Sequence, residues 1–530
     1  MKITAALSAA ATRRPLLTLW GASLAVLWFY AVRSGQDVNW DQRNYHLILP
    51  HLLLNGGLWQ SVAPSGTQSY FNPLALFPAY LAVTHLPPLV ATLVIASLQA
   101  TAFVIAGLIC RTLARDTSIL LTALGALLCL LSPMALSEAG TTYPDVTTAI
   151  PALIAYLLLL RRDQTGLGWR CCAMAGLLLG LAAGLKLTNL IYVFGVPGFF
   201  ICGTQKLRHR LAGLILAALT TIAGFLLIAG WWHWQVWNAF ANPVFPYANN
   251  IFHSPDYPAA ALVDQRFLPK SGWAIWRTPV YWLTGGSPTP GLGSPSSETN
   301  PKDARFLAAV LGITALLTAC ALRPALRKRC LVTPACGLIL AWSSVYLIWL
   351  FIFGIHRYMV GIELLTGAVL LTLCQQLPRQ WPMRAMLALC AASLIVLHVA
   401  NWERRPFAAH WLTIAPEKLS LPGRPLIFIG DVPIAVAALS LPDNALYVGL
   451  TSEFDFAPTQ NTALTRQMRL LLSKSEDRTS YLLTIKGSTS DAPLRLAGFG
   501  LQQQGECNEF TLNATKLQLC PLIPASPKTP

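Results

Sequence analysis

Residues 88–113 read PLVATLVIASLQATAFVIAGLICRTL, an apolar stretch whose first charged residue is Arg111. As a helix that rises about 1.5 Å per residue, it is long enough to cross the roughly 30 Å hydrocarbon core of a membrane. Similar runs lie on both sides of it, at residues 16–33, 118–136, 144–160, 170–185, 189–204, 211–234, 304–321, 332–355, 357–375 and 384–401. The sequence therefore predicts an α-helical polytopic membrane protein with about eleven transmembrane helices. The runs at 170–185 and 189–204 are short, and a re-entrant pair is the alternative there.

The composition supports a membrane protein and argues against a row of soluble domains. Of the 530 residues, 54% are hydrophobic and 11% are charged, whereas soluble proteins have about 25% charged residues. The net charge is +16, from 38 Lys and Arg against 22 Asp and Glu. In a soluble protein this charge would suggest nucleic acid, but in a membrane protein it can be an orientation signal. We therefore expect no nucleic-acid partner.

The basic residues follow alternate loops. The first apolar run comes after a basic N-terminal segment and has no small-residue cleavage site behind it, which predicts a retained anchor with a cytoplasmic N-terminus. Alternate loops then hold 17 basic residues against the two acids Asp116 and Asp163, the basic residues being Lys2, Arg13, Arg14, Arg111, Arg115, Arg161, Arg162, Arg170, Lys206, Arg208, Arg210, Arg323, Arg327, Lys328, Arg329, Arg379 and Arg384. Because Lys and Arg are retained on the cytoplasmic side, we predict a multi-pass protein of the bacterial inner membrane.

The remaining loops and the tail are predicted to lie on the outer, periplasmic side. Residues 1–401 are expected to form a transmembrane domain, and residues 402–530 a small soluble α/β domain. In this tail the segments PLIFIG (425–430), ALYVG (445–449) and YLLTI (481–485) are predicted strands, and residues 461–473 a predicted helix.

Two cysteines of the tail are candidates for a disulfide. Ten of the 12 cysteines lie in or beside apolar runs, where a cysteine is typically a small hydrophobic residue. Cys507 and Cys520 are the exceptions, and they flank a strand-like segment in a compartment that we expect to be oxidising. We predict a disulfide between them.

The first outer loop contains the sequence DVNWDQRNYHL from Asp37, followed by further apolar residues. An acid-rich start before apolar positions beside a span predicts a helix that lies on the membrane surface. Asp41 and Tyr45 are four residues apart and share a face of this helix. One interpretation is that Asp37 or Asn39 caps the helix and Asp41 stabilises its positive end. The functional hypothesis is that Asp41 acts as a general base.

A second acidic cluster, EAGTTYPD, runs from Glu138 to Asp145 at the predicted outer end of two spans. Pro144 followed by Asp145 is a typical helix start, so helix capping is an equally reasonable interpretation. Because both acidic clusters are predicted on one membrane face, carboxylates within reach of one another could position an acceptor hydroxyl and take its proton.

Two cations stand out near apolar runs. Lys186 lies between two of them, so we expect its ammonium either to extend to the membrane surface or to bind an anion. Arg357, in the short connection His356-Arg357-Tyr358, could hold a phosphate through two parallel hydrogen bonds, and extension of its side chain to the surface is the alternative.

The second long loop opens with WWHW at 231–234 and Trp237, followed by Asn242-Pro243-Val244-Phe245-Pro246. Tryptophans at this density are typical of an interfacial belt, although they could also stack on a sugar or contact a prenyl chain. The Asn-Pro-Val-Phe-Pro stretch predicts a defined loop. No P-loop, Gly-x-Ser-x-Gly or His-Glu-x-x-His motif occurs, so a nucleotide is not the expected substrate. The sequence indicates no cofactor and is silent on a divalent metal.

Taken in order along the chain, several of these motifs resemble the GT-C superfamily of glycosyltransferases. They are Asp41 with Tyr45-His46-Leu47 and Pro50, Tyr143-Pro144-Asp145, the stretch GLAAGLKLT around Lys186, the 242–246 loop, and Arg357-Tyr358. Within the superfamily the chain is similar to bacterial family-39-like enzymes, relatives of protein mannosyltransferases and of the aminoarabinose transferase of lipid A. The resemblance covers about residues 16–375.

The resemblance implies an enzyme that takes a sugar from a polyprenyl-phosphate carrier and transfers it with inversion to an envelope glycan, lipid or protein on the outer face. It implies that Asp41 is the catalytic base and Asp145 a second acidic residue of the site, inside a catalytic domain of residues 1–401. The candidate substrate-binding residues are Tyr45, His46, Glu138, Lys186, Arg357 and Tyr358. The chain departs from the family pattern in having Asp41-Gln42 where an Asp-Glu pair is frequent, and in its tail.

Two other classes fit parts of the pattern. An O-antigen ligase or polymerase has a similar number of spans and a large outer loop, but relies on Arg and His rather than on a first-loop Asp. A secondary transporter would place its ionisable residues near the bilayer midplane, and Lys186 and Glu363 keep this class open.

Overall fold

The computed structural model describes residues 15–525 except 115–117, 163–167, 286–294, 378–380, 416–418, 420, 451–452, 455–458 and 474–477. Several charged residues of the topology argument lie outside the described residues, namely Lys2, Arg13, Arg14, Arg115, Asp116, Asp163 and Arg379. By its contacts the chain divides into two compact units. The first unit comprises Met1–Ser34, Thr92–Gly230 and Asp264–Trp402, and the second comprises Gly35–Ala91, Trp231–Val263 and Glu403–Pro530.

The described residues are mostly helical. In chain order the α-helices are α1 Pro15–Ser34, α2 Ile48–Leu54, α3 Phe77–His85, α4 Pro88–Leu113, α5 Ile119–Leu130, α6 Pro133–Ser137, α7 Asp145–Arg161, α8 Gly168–Leu185, α9 Val196–Ile201, α10 Leu207–Phe240, α11 Asn249–Phe252, α12 Ala274–Thr284, α13 Arg305–Leu322, α14 Pro324–Val332, α15 Pro334–Ile352, α16 Val360–Cys374, α17 Trp381–Val396, α18 Ala463–Ser473 and α19 Ala492–Gly498.

Each predicted apolar run lies on helical structure, which confirms the polytopic helical class. Within the described part of the chain, seven helical segments are long and apolar enough to cross a membrane. They are α1, α4, α8, α10, α13, α15 and the segment His356–Cys374 that includes α16. The other four runs lie on shorter helices: α5 with α6, α7, the 3₁₀ turn Leu187–Gly195 with α9, and α17.

The long helices differ in how much protein surrounds them. In its most apolar window, the α16 segment is 83% buried by protein, whereas α10 is 11% buried. α16 is therefore an interior helix, and α10 presents most of its apolar side chains to the lipid. Gly176 and Gly180 let α8 approach α10, because a Cβ at either position would lie 2.1 Å from a carbonyl oxygen of α10. Such small-residue contacts are the usual way in which membrane helices pack closely.

The tail forms the predicted α/β arrangement. Its strands are β3 Ile414–Ala415, β4 Leu426–Ile429, β5 Leu446–Gly449, β6 Ser480–Ile485, β7 Leu501–Gln503, β8 Asn508–Leu512 and β9 Thr515–Pro524. They form one sheet in the order β3-β8-β9-β6-β4-β5, with β7 also paired to β9. β4 runs parallel to β5 and β6, and these buried strands coincide with the three predicted apolar segments. A two-stranded ladder, β1 Gln36–Asp37 with β2 Arg404–Arg405, joins the first loop to the start of the tail.

The register of the β8–β9 hairpin explains the cysteine pair. Asn508 lies opposite Leu519, so the preceding residue Cys507 comes opposite Cys520. The structure joins these two cysteines by a disulfide.

The first-loop helix differs from the sequence expectation. Residues 47–49 are fully buried within the second unit, where the loop packs against the short helical turn Ala435–Ser440 of the tail. A face covered by protein cannot contact lipid, so the prediction of a helix lying on the membrane surface was wrong. The tail covers this face instead.

Candidate active site

Asp145 and Lys186 form an ion pair in the first unit. Asp145 is the first residue of α7, and its side chain is 2% exposed. Lys186 follows the last residue of α8 in extended backbone, and its side chain is 18% exposed. The Lys186 ammonium donates to Oδ1 of Asp145. The described partner of the Lys186 ammonium is thus a carboxylate of the protein itself.

Aromatic rings surround the second cation. The guanidinium carbon of Arg357 lies 4.7 Å from the ring centroid of Tyr143 and 5.8 Å from that of Trp402. It is also 5.6 Å from the ring of Tyr358, whose ring centroid is 5.0 Å from the Lys186 ammonium nitrogen. Cation–π contacts of this kind hold a guanidinium in place without neutralising its charge. The rings thus hold the Arg357 guanidinium close to Tyr358, which also lies beside Lys186.

Glu138 is a fully buried acid in the same cluster. Its Oε2 accepts a long 3.4 Å hydrogen bond from the Val146 amide. Burial, and then the nearby Asp145 carboxylate, raise the pKa of Glu138 well above its ordinary range, although Lys186 and Arg357 act in the opposite direction. These influences favour the neutral acid at position 138.

A tight turn fixes the backbone next to Glu138. Gly140 has a φ of +70°, and a Cβ on it would lie 2.5 Å from Cγ2 of Thr92 and 3.0 Å from Cβ of Ala31. Gln99 braces the turn, because its Nε2 donates to the Glu138 carbonyl over 2.9 Å and its Oε1 accepts from the Gly140 amide over 2.8 Å. Glycine is required here, since other residues are strained at this φ and a side chain has no room.

Two aromatic residues of this site, Tyr192 and Trp402, were not identified from the sequence, and Tyr143 was named only as part of a motif. Tyr143 and Trp402 pack with ring centroids 5.0 Å apart beside Arg357. The Tyr192 hydroxyl accepts from the Gly361 amide at 2.9 Å, which anchors the start of α16 just after Tyr358. Tyr143 lies inside a motif that was recognised for its acids, but no sequence signal connects Trp402 to it.

Asp41, Tyr45 and His46 belong to the second unit. The Gln42 amide donates to Oδ1 of Asn39 over 2.8 Å, so Asn39 caps this turn, and the Asn39 amide donates in turn to Asp37. The Asp41 carboxylate makes no capping hydrogen bond. It accepts a 3.2 Å hydrogen bond from the Tyr45 hydroxyl, which agrees with the shared face predicted for these residues. Asn39 therefore caps this turn, and Asp41 is bound to Tyr45.

A buried ionic network in the first unit was also missed. Arg305 is fully buried and donates to Asp303 over 2.6 Å and to Oε1 of Glu363 over 3.4 Å. The two carboxylate oxygens of Glu363 also accept from the amides of Met134 and Ala135 at the start of α6. Glu363 was one of the two residues compatible with a secondary transporter. In the structure its hydrogen bonds connect α16 to α6 and α13.

The tryptophan-rich segment is only partly a belt. Trp234 and Trp237 are more than half exposed, as a belt requires, but Trp232 is 1% exposed. Its indole nitrogen donates to the Tyr70 carbonyl over 3.0 Å. The following loop is a defined turn, as predicted, because Asn242 is fully buried and hydrogen bonds to Val244 and Tyr247.

No metal-binding cluster is found in the described part of the chain, where no three His, Cys, Asp or Glu side chains come close enough to hold an ion.

Comparison with solved structures identifies the fold. The crystal structure of ArnT from Cupriavidus metallidurans bound to undecaprenyl phosphate is similar to this chain, with a TM-score of 0.53 and 14% identity over 96% of this chain and 98% of ArnT. The apo state of the same protein gives a TM-score of 0.51 at the same identity and coverage. A third match, the apo oligosaccharyltransferase of Archaeoglobus fulgidus, has a TM-score of 0.49 and 12% identity over 90% of this chain and 70% of that one. The chain thus has the fold of ArnT.

The family follows from the sequence. The model of glycosyltransferase family 87 matches residues 70–348, which is more than half of the chain. The chain belongs to this family and is a multi-pass membrane glycosyltransferase. A comparison with curated proteins finds no match. The GT-C resemblance inferred from the motifs is confirmed, and membership in a glycosyltransferase family replaces the transporter alternative.

Proposed function

We propose that the protein transfers a sugar from a polyprenyl-phosphate donor to an acceptor of the cell envelope. The observation that carries this proposal is the likeness, over nearly the whole chain, to ArnT in its structure with bound undecaprenyl phosphate. Membership in a glycosyltransferase family supplies the reaction class. A membrane-spanning body also suits a donor that is anchored in lipid. The acceptor, by the chemistry of the compartment, is an envelope glycan, lipid or protein.

In the first unit, the charges of the cluster formed by Glu138, Asp145, Lys186 and Arg357 are suited to binding a phosphate. Lys186 and Arg357 contribute two positive charges, and Asp145 contributes one negative charge through its ion pair. The raised pKa of Glu138 favours its neutral form, so the two cations are opposed mainly by the carboxylate of Asp145. A site with this charge attracts the donor phosphate and stabilises the negative charge that develops on it as the sugar departs.

The proposed chemistry is a single displacement. Asp41 takes the proton of the acceptor hydroxyl, whose oxygen attacks the anomeric carbon of the sugar. The bond between that carbon and the phosphate oxygen breaks, and polyprenyl phosphate leaves. One displacement inverts the anomeric configuration. Asp145, held by Lys186, keeps that ammonium in position for the phosphate, and Tyr45, His46 and Tyr358 contact the substrates.

The direct test replaces Asp41 by Asn in the full-length enzyme, supplied with polyprenyl-phosphate sugars and envelope extracts as acceptors. We expect turnover to fall by about 10²- to 10⁴-fold, which is the usual contribution of a general base. Glu509→Gln is the control, because it removes an exposed carboxylate of the tail that pairs with Lys486. Turnover within tenfold of wild type in Asp41→Asn would disprove the base assignment. Transfer only from a nucleotide sugar would instead disprove the donor.

We also propose that the enzyme lies in a bacterial inner membrane with its N-terminus in the cytoplasm and residues 402–530 in the periplasm. The 17 basic residues of alternate loops support this orientation.

Mass spectrometry of envelope glycans from a deletion strain should show one missing sugar, which identifies the acceptor. Labelling of single cysteines placed in the tail, by a reagent that does not cross the inner membrane, tests the orientation.

A further inference from the structure

A cavity of about 290 Å³ lies in the first unit, away from the cluster around Asp145. Its walls come from the segments where α7 ends, α8 begins, α9 ends and α10 begins. The polar lining residues are Arg162, Gln205 and His209, and the apolar lining includes Trp169, Phe200 and Leu216. These segments belong to loops that the sequence assigns to the cytoplasmic side.

One buried cation lines the cavity. Arg162 is 3% exposed, and its guanidinium lies 4.5 Å from the ring centroid of Phe200 and donates to the Cys202 carbonyl. Between Asp145 and Asp256 the sequence has one acid, Asp163, which directly follows Arg162, whereas it has seven basic residues: Arg161, Arg162, Arg170, Lys186, Lys206, Arg208 and Arg210. A half-enclosed site with a buried arginine, in a stretch of chain with this excess of basic residues, favours an anion.

Size and surroundings point to a lipid headgroup. The volume is at the lower limit of the roughly 300–1,000 Å³ typical of sites that enclose a drug-sized ligand, so a small group fits and a lipid-linked sugar does not. Leu211 and Ile215 of α10 are each about half exposed next to the cavity. They form an apolar surface that acyl chains can contact. Trp169, at 63% exposure, suits the interface between headgroups and hydrocarbon.

We propose that this cavity binds the phosphodiester headgroup of an anionic membrane phospholipid. Arg162 holds the phosphate through charge-assisted hydrogen bonds, His209 and Gln205 contribute further donors, and the acyl chains lie along α10. Basic pockets between helices on the cytoplasmic side are known to select anionic lipids in this way. The site is separate from the transfer reaction and does not depend on the donor assignment.

The test measures lipid retention by the full-length protein. Purified protein is equilibrated in nanodiscs of phosphatidylglycerol and phosphatidylcholine with the same acyl chains, and the retained lipids are counted by native mass spectrometry. We expect wild type to retain phosphatidylglycerol preferentially and Arg162→Gln to lose this preference by about tenfold, as expected for the loss of hydrogen bonds from a charged donor. Arg208→Gln is the matched control, because Arg208 is exposed and does not line the cavity. Its retention should equal that of wild type.

A second variant keeps the test valid if Arg162→Gln does not fold. Ala212 lines the cavity at an exposed position, so Ala212→Trp should block the site without altering charge or buried packing, and should abolish the preference. Equal loss in Arg208→Gln and Arg162→Gln, or retention in Ala212→Trp, would show diffuse surface attraction and overturn the proposal. Binding of inorganic phosphate as tight as that of phosphatidylglycerol would overturn it as well, because the occupant would then be free phosphate.

Discussion

The ion pair between Lys186 and Asp145 sets the electrostatics of the site at the scale of single residues. Taking one partner away leaves a buried charge without compensation, which costs about 3–5 kcal/mol in typical proteins. Asp145 is the more buried partner, at 2% exposure. Loss of the lysine should therefore be more costly than loss of both side chains together.

This difference gives a prediction for a double-mutant cycle. Lys186→Met should lower the thermal unfolding temperature markedly, because it removes the cation that pairs with the buried Asp145 carboxylate, and adding Asp145→Asn should restore part of the loss. Unfolding in detergent, followed by intrinsic fluorescence, measures both variants. The exposed pair Lys486–Glu509 is the control, and Lys486→Met should cost less than about 1 kcal/mol. A double mutant no more stable than Lys186→Met would contradict the pairing.

Glu138 predicts a pH dependence of donor binding. The raised pKa of Glu138 favours the neutral acid, so as pH rises through that pKa the side chain becomes negative and the positive charge of the site decreases. The KM for an anionic donor should then rise about fivefold or more, because adjacent partly buried charges interact by about 1 kcal/mol or more. In Glu138→Gln the charge cannot change, and KM should stay flat over that range.

The steady-state KM, measured between pH 6 and pH 9 for each variant, provides the comparison. Glu298→Gln removes a partly exposed acid of the same unit that lies 3.9 Å from Arg266, and it should keep the wild-type profile. An unchanged slope in Glu138→Gln would show that another group titrates.

Sequence alone could propose most of these residues but not how they pair. Asp145 and Lys186 stood out because each is a charge beside apolar residues. Their pairing joins positions 41 residues apart, and an interaction over that separation depends on how α7 and α8 pack. The contact between the Trp402 ring and Arg357 likewise results from tertiary packing, which the periodicity of the sequence does not show.

At the scale of elements, the turn between α6 and α7 positions Glu138 and Asp145. Gly140→Ala should lower stability by about 1–3 kcal/mol, since the alanine combines an unfavourable φ with the 2.5 Å contact to Thr92. Gly56→Ala is a matched control, because Gly56 has a φ of +68° with nothing within 4 Å of its Cβ position. It should show only the backbone part of the cost, about 1 kcal/mol. Equal losses in the two variants would mean that the turn tolerates a methyl group.

The long spans could be predicted because a transmembrane helix must be both long and apolar. Both properties can be read from a single continuous segment of the sequence. The run at 88–113 matches α4 at both ends. Short elements were less visible: the 118–136 run is interrupted by Leu131 and Ser132 between α5 and α6. The Trp232 side chain lies inward, where its indole nitrogen donates to the carbonyl of Tyr70. This partner is 162 residues away in the sequence, so composition alone does not reveal the contact.

At the scale of the whole molecule, the second unit is assembled from three separate segments of the chain. The sequence predicted the tail as an α/β domain from its apolar strands, but the loops 35–91 and 231–263 showed no comparable periodicity. In the structure both loops pack with the tail. Val62 forms a β-bridge with Val448 of β5. The Asp256 carboxylate accepts hydrogen bonds from the amides of Ala463 and Leu464 at the start of α18.

This assembly predicts the effect of truncation. A chain that ends at Trp402 should expose residues 47–49, and limited proteolysis should then cut within 35–91 many times faster, because the tail that covers them is gone. A chain that ends at Ala525 is the control and should resist protease like the full protein. Cleavage sites identified by mass spectrometry locate the exposed region. If the first loop stayed protected without residues 403–530, the tail would be an independent domain.

The burial of the first loop under the tail also has a consequence for the order of synthesis. Residues 35–91 leave the ribosome early, but the segment that completes their unit begins at Glu403, 312 residues after Ala91. At about 5–20 residues per second, the loop waits for roughly 15–60 s before its partner has been made. During that interval an apolar surface near the N-terminus has no cover from its own chain. Nascent chains of this protein are therefore expected to need shielding of the first loop until the segment that begins at Glu403 has been made.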